Sequence, residues 1–186
     1  SRMVQAVSGV SFSNDQRNDL IIRGGSPAEN LFLIDGIEIP NINHFGSQGS
    51  TGGPIGILNL KFLQNADIYT GGFPVTYGNA LSGAVDISFR EGSKKYYYNN
   101  IDMSLQGFGG QFEGRFSDKS SYLVSLRRSY LDLLKDAIRL SAVPKYWDMN
   151  FKSNIILNEK NSISLLGFWA TDKIEFGARD EDDETA

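Results

Sequence analysis

His44 is the single histidine in a chain that has no cysteine. A Ser-His-Asp relay would have to run through that one residue, and no nucleophile elbow accompanies it. Without thiols there is no cysteine nucleophile, no thiolate metal site and no disulfide. Asp35 has the chemistry to bind a metal or move a proton, but the pair Asp35-Gly36 is first a tight-turn signal. The acidic run Asp180-Glu181-Asp182-Asp183-Glu184 lacks the glycine turn and terminal glutamate spacing of a calcium loop, and reads as a solvated loop. Gly71, Gly72, Gly78 and Gly83 fit neither GxGxxG nor a Gly-Lys-Ser/Thr phosphate cradle, so they read as turn and packing glycines. No base, nucleophile and oxyanion donors converge. The expectation is therefore a non-enzyme with no catalytic residue, no cofactor and no metal.

The bulk composition narrows the class further. A net charge of −4 and a pI near 5.0 argue against a nucleic-acid partner, whose phosphates demand a basic surface. The 12 Phe and 8 Tyr lean toward strands, and the 20 Gly imply many turns and close backbone approaches. No run approaches the roughly 18 apolar residues of a membrane helix. Barrel strands carry a weaker, alternating signal that this test does not reach. The N-terminus lacks a charged segment followed by an apolar one, so no signal peptide is expected.

Positioning falls to two regions with different grammar. Up to about Gly92 the chain is rich in glycine and turn signals. Asp19–Arg23 reads as a strand ending at Gly24-Gly25, Ser26–Asn30 as a turn, and Leu31–Ile34 as an apolar strand returning through Asp35-Gly36 to Ile37–Ile39. Pro40 to Pro54 reads as a long loop and Ile55–Leu63 as a short helix. Ala66–Tyr69 and Ala84–Arg90 complete a small α+β domain, its sheet built around Asp19–Arg23, Leu31–Ile39 and Ala84–Arg90.

From Tyr96 onward, segments of about ten residues alternate in the manner of transmembrane barrel strands. Ile101, Met103, Leu105 and Gly107 oppose Asp102, Ser104 and Gln106. Phe112, Gly114 and Phe116 oppose Gln111, Glu113 and Arg115, while Tyr122, Val124 and Leu126 oppose Ser125 and Arg127. Met149, Phe151, Ser153 and Ile155 oppose Asp148, Asn150, Lys152 and Asn154, and Ile163, Leu165, Gly167 and Trp169 continue the theme. Ser117–Ser121 and Asn158–Asn161 are short polar connectors. Ser129–Trp147 is long and carries the helix-like YLDLLKDAIRL. Such sorting of connectors by length suits a barrel with short periplasmic turns and long outer loops. The competing architecture is a soluble β-sandwich, a free-standing binding module for glycans, for which Tyr96-Tyr97-Tyr98 would supply exposed aromatics.

The stretch RGGSPAENLFLIDGIEIPNINHFG, Arg23 to Gly46, resembles the plug of TonB-dependent outer-membrane receptors. TGGPIGILNLKFLQNADIYTGGFPVTYGNALSGAVDISFREG, Thr51 to Gly92, continues the resemblance. It is carried by Arg23-Gly24-Gly25, Ile34-Asp35-Gly36, Gly71-Gly72, Tyr77-Gly78-Asn79-Ala80 and Ser82-Gly83-Ala84-Val85-Asp86-Ile87, in order. The phrasing, with VPKYWDMNFK downstream, is similar to receptors of Bacteroidetes-type bacteria.

The resemblance implies a plug over residues 1–92, with its N-terminal part and TonB box missing. It implies that residues 93–186 hold the first ~5 strands of an outer-membrane β-barrel of about 22 strands. It implies energised uptake of a scarce nutrient, such as an iron chelate, cobalamin or a glycan, in the bacterial outer membrane. The partners implied are TonB, outer-membrane lipid and the nutrient, with a surface lipoprotein as a further partner. Arg23, Gly24, Gly25, Asp35, Gly36, Gly71, Gly72, Tyr77, Gly78 and Gly83 become plug-motif positions, with the Arg23 guanidinium anchoring the plug to acidic groups of the barrel wall. Asn41, Asn43, His44 and Phe45 fall at the plug apex, where ligand contact is expected. For His44 the alternative is a merely solvated loop residue. Glu113, Arg115, Arg127, Asp148 and Lys152 fall on the lumen-facing, plug-facing side, where charge is tolerated.

Overall fold

A computed structural model describes residues 8–12, 18–46, 53–78, 80–104, 107–130 and 142–176. The chain divides into two compact units, Ser1–Glu91 and Gly92–Ala186. The helix-like segment after Ser129, the acidic run 180–184, and Leu105, Gln106 and Asn79 lie outside the described residues.

In the first unit β1 (Val10–Phe12) pairs with β2 (Leu20–Ile22) as a separate two-stranded ladder. The expectation that Asp19–Arg23 would join the main sheet is therefore corrected. Arg23 and Gly24 take φ of 50° and 76°, turning the chain directly after Ile22, and the Arg23 N–H donates to the Gly9 carbonyl at 2.8 Å. The main sheet has the order β4-β3-β8-β7, from β3 (Asn30–Ile34), β4 (Ile37–Glu38), β7 (Leu63–Tyr69) and β8 (Gly83–Phe89). Its centre is a parallel pair, Asn30↔Gly83 through Ile34↔Ile87. Parallel strands need a long crossover, and the residues between β3 and β8 supply it. Every residue of β3 is buried, as befits a strand covered on both faces. Leu31, Leu33 and Ala84 form one side of the core against Tyr69, Phe73 and Tyr77, while Phe62 meets Phe89 edge-on at 5.9 Å.

The expected helix over Ile55–Leu63 is absent. Ile55–Gly56 form β6 against β5 (Asn43–His44), and the Asn59 side chain then accepts the Lys61 N–H at 3.0 Å, starting one 3-10 turn over Leu60–Phe62. Gly56 is a poor helix former, and the β5 pairing claims its neighbourhood. A second 3-10 turn covers Pro27–Glu29. Among the described residues, these two turns are the whole helical content of the first unit, so α+β gives way to a mostly-strand unit.

The second unit is one five-stranded antiparallel sheet in the order β13-β12-β11-β10-β9. Its strands are β9 (Tyr98–Ser104), β10 (Gly107–Ser117), β11 (Ser120–Arg128), β12 (Ala142–Asn158) and β13 (Asn161–Phe176). Short connections at Asp118-Lys119 and Glu159-Lys160 allow only neighbours to pair. Two expectations shift. Gly107 pairs with Ser104 at the start of β10 and is not a partner of Ile101 and Met103 on one strand face. The connector expected through Trp147 ends at Ala142. There the Ser129 hydroxyl donates to the Pro144 carbonyl at 3.2 Å and accepts the Tyr146 N–H at 3.1 Å, and β12 pairs with β13 from Ala142↔Phe176 onward.

The two faces of this sheet are unlike. Ile101, Met103, Phe108, Phe112, Leu126 and Trp169 stand exposed. Gln111, Glu113, Ser125, Asp148, Asn150 and Lys152 are buried. A soluble sheet buries its apolar face; this one buries its polar face. At one end the Phe116 and Tyr122 rings lie 4.7 Å apart, and the Tyr97 ring covers the side of Gly114 that a Cβ would occupy. Such aromatic–glycine cover compensates a strand glycine.

Candidate functional site

Arg23, Gly25, Gly71 and Gly83 gather around the turn after β2. The guanidinium of Arg23 lies over Gly71, where an added Cβ would come within 2.6 Å of its Nη1. Gly71 also has φ 157°, so its backbone as well as the arginine above it leaves little place for a side chain. Gly25 and Gly83 are confined in the same way: a Cβ at Gly25 would meet the Ser82 hydroxyl, and one at Gly83 the Ile22 side chain. Gly72, at φ 65°, answers a backbone need instead. Gly78 has neither a positive φ nor a neighbour within 4 Å, so no packing role attaches to it.

Asp35 and Gly36 form the turn between β3 and β4, with φ of 50° and 79° and Ile34 opposite Ile37. Two positive φ values in succession mark the hairpin turn that Asp-Gly favours. The aspartate does more than turn the chain. Its Oδ1 accepts the Phe89 N–H at 3.0 Å, tying the end of β8 to the turn.

Glu29 carries a role that motif reading missed. Its Oε2 accepts from the Ser82 hydroxyl at 2.7 Å and from the Ser26 N–H at 3.2 Å, and its carbonyl accepts from the N–H groups of Leu81 and Ser82. One residue therefore fastens the 3-10 turn to the segment entering β8. The signal was present as the capping box Ser26-Pro27-Ala28-Glu29. The Tyr77 hydroxyl donates to Asp86 at 2.6 Å, and its ring meets Tyr69 at 5.3 Å. The hydrogen bond to a carboxylate pushes the Tyr77 hydroxyl above its ordinary titration range.

Two of the four residues expected at the apex are turned inward. Asn43 and His44 are buried in β5, His44 completely, with its ring 6.1 Å from Phe45. A Cβ at Gly53 would strike the His44 carbonyl. Asn41 Oδ1 accepts the Asn43 N–H at 2.9 Å, and Asn18 donates to the Asn43 carbonyl oxygen of its side chain at 3.3 Å. His44 is neither solvated nor displayed. Asn41 and Phe45, the latter at φ 55°, keep partial exposure.

The buried face of the second unit holds its own network. Arg127 grips Asp148 with both ends of the fork, Nε to Oδ1 at 3.0 Å and Nη2 to Oδ2 at 2.9 Å. Asp148 is fully buried, and a bidentate arginine is the partner a carboxylate needs there. Asn150 also donates to Asp148, at 3.4 Å, and Gln111 and Asn100 both donate to Asp102, at 3.0 and 3.2 Å. Ser121 Oγ and Asn154 Oδ1 are buried without a hydrogen-bond acceptor or donor opposite them. Arg115, by contrast, is exposed and bonds Asp118 at 2.7 Å. Among the described residues no cluster of acidic or histidine side chains could hold a metal ion.

Residues 1–85 match the family model of the TonB-dependent Receptor Plug Domain. The matched stretch is 85 of the 186 residues, so the likeness is to the plug domain of that family over the first part of the chain. No curated protein matches the chain in sequence. Among solved structures it is similar to the ferric enterobactin receptor of Pseudomonas aeruginosa, crystallised as a mutant in complex with enterobactin, with a TM-score of 0.60. The match covers 94% of this chain and 30% of that one at 16% identity, so the likeness is one of fold. The Arg23–Gly71 contact and the Glu29 clamp both lie inside the matched stretch and fasten it internally. No described helix is long and apolar enough to cross a membrane, which does not bear on crossing by strands.

Proposed function

We propose that this chain serves energised uptake across a bacterial outer membrane, with residues 1–92 as the plug and 93–186 as about the first five strands of the barrel wall. The observation that carries this reading is the inverted sheet. A glycan-binding sandwich would hide Phe112, Leu126 and Trp169 and wet Asp148 and Asn150, and the burial runs the other way. A sheet whose exposed face is apolar suits lipid, and its charged face suits a lumen.

The partners in this reading are TonB, outer-membrane lipid, and a scarce nutrient, with a surface lipoprotein as an accessory. Cobalamin and glycans fit the same architecture; an iron chelate stands first because the receptor of similar fold was solved with enterobactin. Arg23 serves as plug anchor, and Asn41 and Phe45 are the apex side chains placed for ligand. The decisive experiment is heat-modifiable mobility of the full-length gene product, extracted from outer membranes, together with TonB-dependent uptake of labelled ferric enterobactin. Barrel behaviour with uptake is the expected result. A protein that fractionates as soluble, and stays monodisperse without detergent, overturns the reading. The 186-residue chain alone is expected to scatter light without detergent, since β9 and β13 present open edges and the apolar face has no cover.

A further inference from the structure

Among the described residues, the five strands of the second unit do not end together. β11 stops at Arg128, which pairs with Trp147, and β9 and β10 reach one residue further, at Ser104 and Gly107. β12 and β13 run on as a two-stranded ribbon, from Tyr146↔Asp172 to Ala142↔Phe176. The face that is apolar below the Trp147–Thr171 row is charged above it. On β13 that face reads Ile163, Leu165, Gly167 and Trp169, then Thr171, Lys173 and Glu175. On β12 it reads Ile155, Ser153, Phe151, Met149 and Trp147, then Lys145. Lys145 and Lys173 face each other across the ribbon and meet Glu175 at 2.7 and 3.0 Å. Val143, the next residue of that face, is buried, and the exposed Ile174 and Phe176 stand on the opposite face.

Strand length gives the same division. A tilted strand crosses the hydrocarbon layer in about 9–11 residues. β10 has 11 residues and β11 has 9, whereas β12 has 17 and β13 has 16. Counted from Leu157, beside the short turn, one crossing of β12 ends between Met149 and Trp147. This end also carries the long connection between Arg128 and Ala142, the outer end in the barrel reading. We propose that the outer edge of the lipid hydrocarbon crosses this sheet at the Trp147–Thr171 row, and that the ribbon of residues 142–146 and 172–176 beyond it stands in water. The inference rests on the sheet being barrel wall. An ion-paired Glu175 on the lipid side would have to be stripped of water, which a place beyond the edge avoids. Trp147 suits the edge itself, with an exposed amphipathic ring and the Arg128 guanidinium carbon 5.0 Å from its centre.

The test uses the full-length gene product in lipid vesicles, with a bimane label on one introduced cysteine at a time: Leu165→Cys, Trp169→Cys, Thr171→Cys or Lys173→Cys. Two quenchers are compared, brominated acyl chains inside the bilayer and iodide in the water outside it. Labels at Leu165→Cys and Trp169→Cys are expected to lose fluorescence to the brominated chains and to resist iodide. The label at Lys173→Cys is expected to do the reverse, with the crossover at Thr171→Cys. A crossover anywhere but between Trp169 and Lys173 overturns the boundary and leaves the barrel standing. Lipid quenching at none of the four positions overturns the barrel and the boundary together. Arginine substitution reads the same edge without a label, because a charge is costly at depth and nearly neutral at the interface. Leu165→Arg should lower the midpoint of denaturant unfolding from vesicles, and Thr171→Arg should leave it nearly unchanged. Equal losses at the two positions overturn the boundary alone, and no loss at either overturns both readings.

Discussion

The first unit hides the aliphatic side chains of its central strands β3 and β8, and the second displays those of one sheet face. In the first unit, Phe32, Ile34, Val85 and Ile87 are buried along a sheet whose outer strand β7 is largely exposed and polar at Gln64, Asn65 and Asp67. In the following sheet, Ile101 and Met103 are among the most exposed residues, while Asp148 and Asn150 have no exposure at all. Both units are strands with period-two side-chain direction, so secondary structure does not separate them. What separates them is which side chains each buries, and in the proposed reading that follows the medium each face meets. A strand in water earns stability by burying hydrocarbon, whereas a strand in lipid must bury its polar atoms or pair them.

The sharpest way to break this contrast is to attack the buried charge. Arg127→Met leaves the Asp148 carboxylate buried without its fork, and should cost about 3–5 kcal/mol in unfolding of the full-length protein from lipid vesicles. The double variant Arg127→Met/Asp148→Leu should recover most of that loss. If the single variant is neutral, Asp148 is wet and the inverted sheet is an error. On the opposite face, Leu126→Arg places a charge in the apolar band, and a loss of about 2–4 kcal/mol is expected by the same measurement. In a water-facing sheet this change would be nearly silent.

The first unit is expected to respond most to its backbone demands. Gly36→Ala forces a Cβ into the left-handed region and should cost about 1–2 kcal/mol, read as a lower melting temperature of the plug transition. Gly78→Ala, with a negative φ and open space, should fall within about 0.5 kcal/mol of wild type. Equal effects would mean that the two glycines are not distinguished by geometry. The smallest expected effect is one of pH. The folded Tyr77 hydroxyl is raised by Asp86, so its stabilising share is complete below the ordinary tyrosine value of about 10 and fades as pH climbs through the folded value. Tyr77→Phe should flatten the melting temperature of the plug between pH 9 and 11, checked by thermal melts in detergent; unchanged slopes would remove the Tyr77–Asp86 bond from the account.

The residues themselves determined what is local. Asp35-Gly36 dictated a turn because two successive positive φ values admit few other pairs. The alternation of Met149, Phe151 and Ile155 with Asp148, Asn150 and Lys152 determined two unlike faces, because successive side chains of a strand point oppositely. The motifs between Arg23 and Ile87 carried the likeness to the plug-domain model in the same way, as short strings of fixed order. Tertiary structure decided what depends on distant partners. β2 turned away to β1, the parallel β3–β8 pair closed over the residues between them, and Ile55–Gly56 became a strand because β5 was there to pair with. His44 is fully buried because β6 and Gly53 close over it, which no neighbour in sequence signals. Arg127 found Asp148 only because β11 and β12 align them across a connection whose length does not specify register. Hydrogen-bonded partners in a sheet are chosen by which segments meet, and that is set by the packing of the whole unit rather than by the pattern of any one strand.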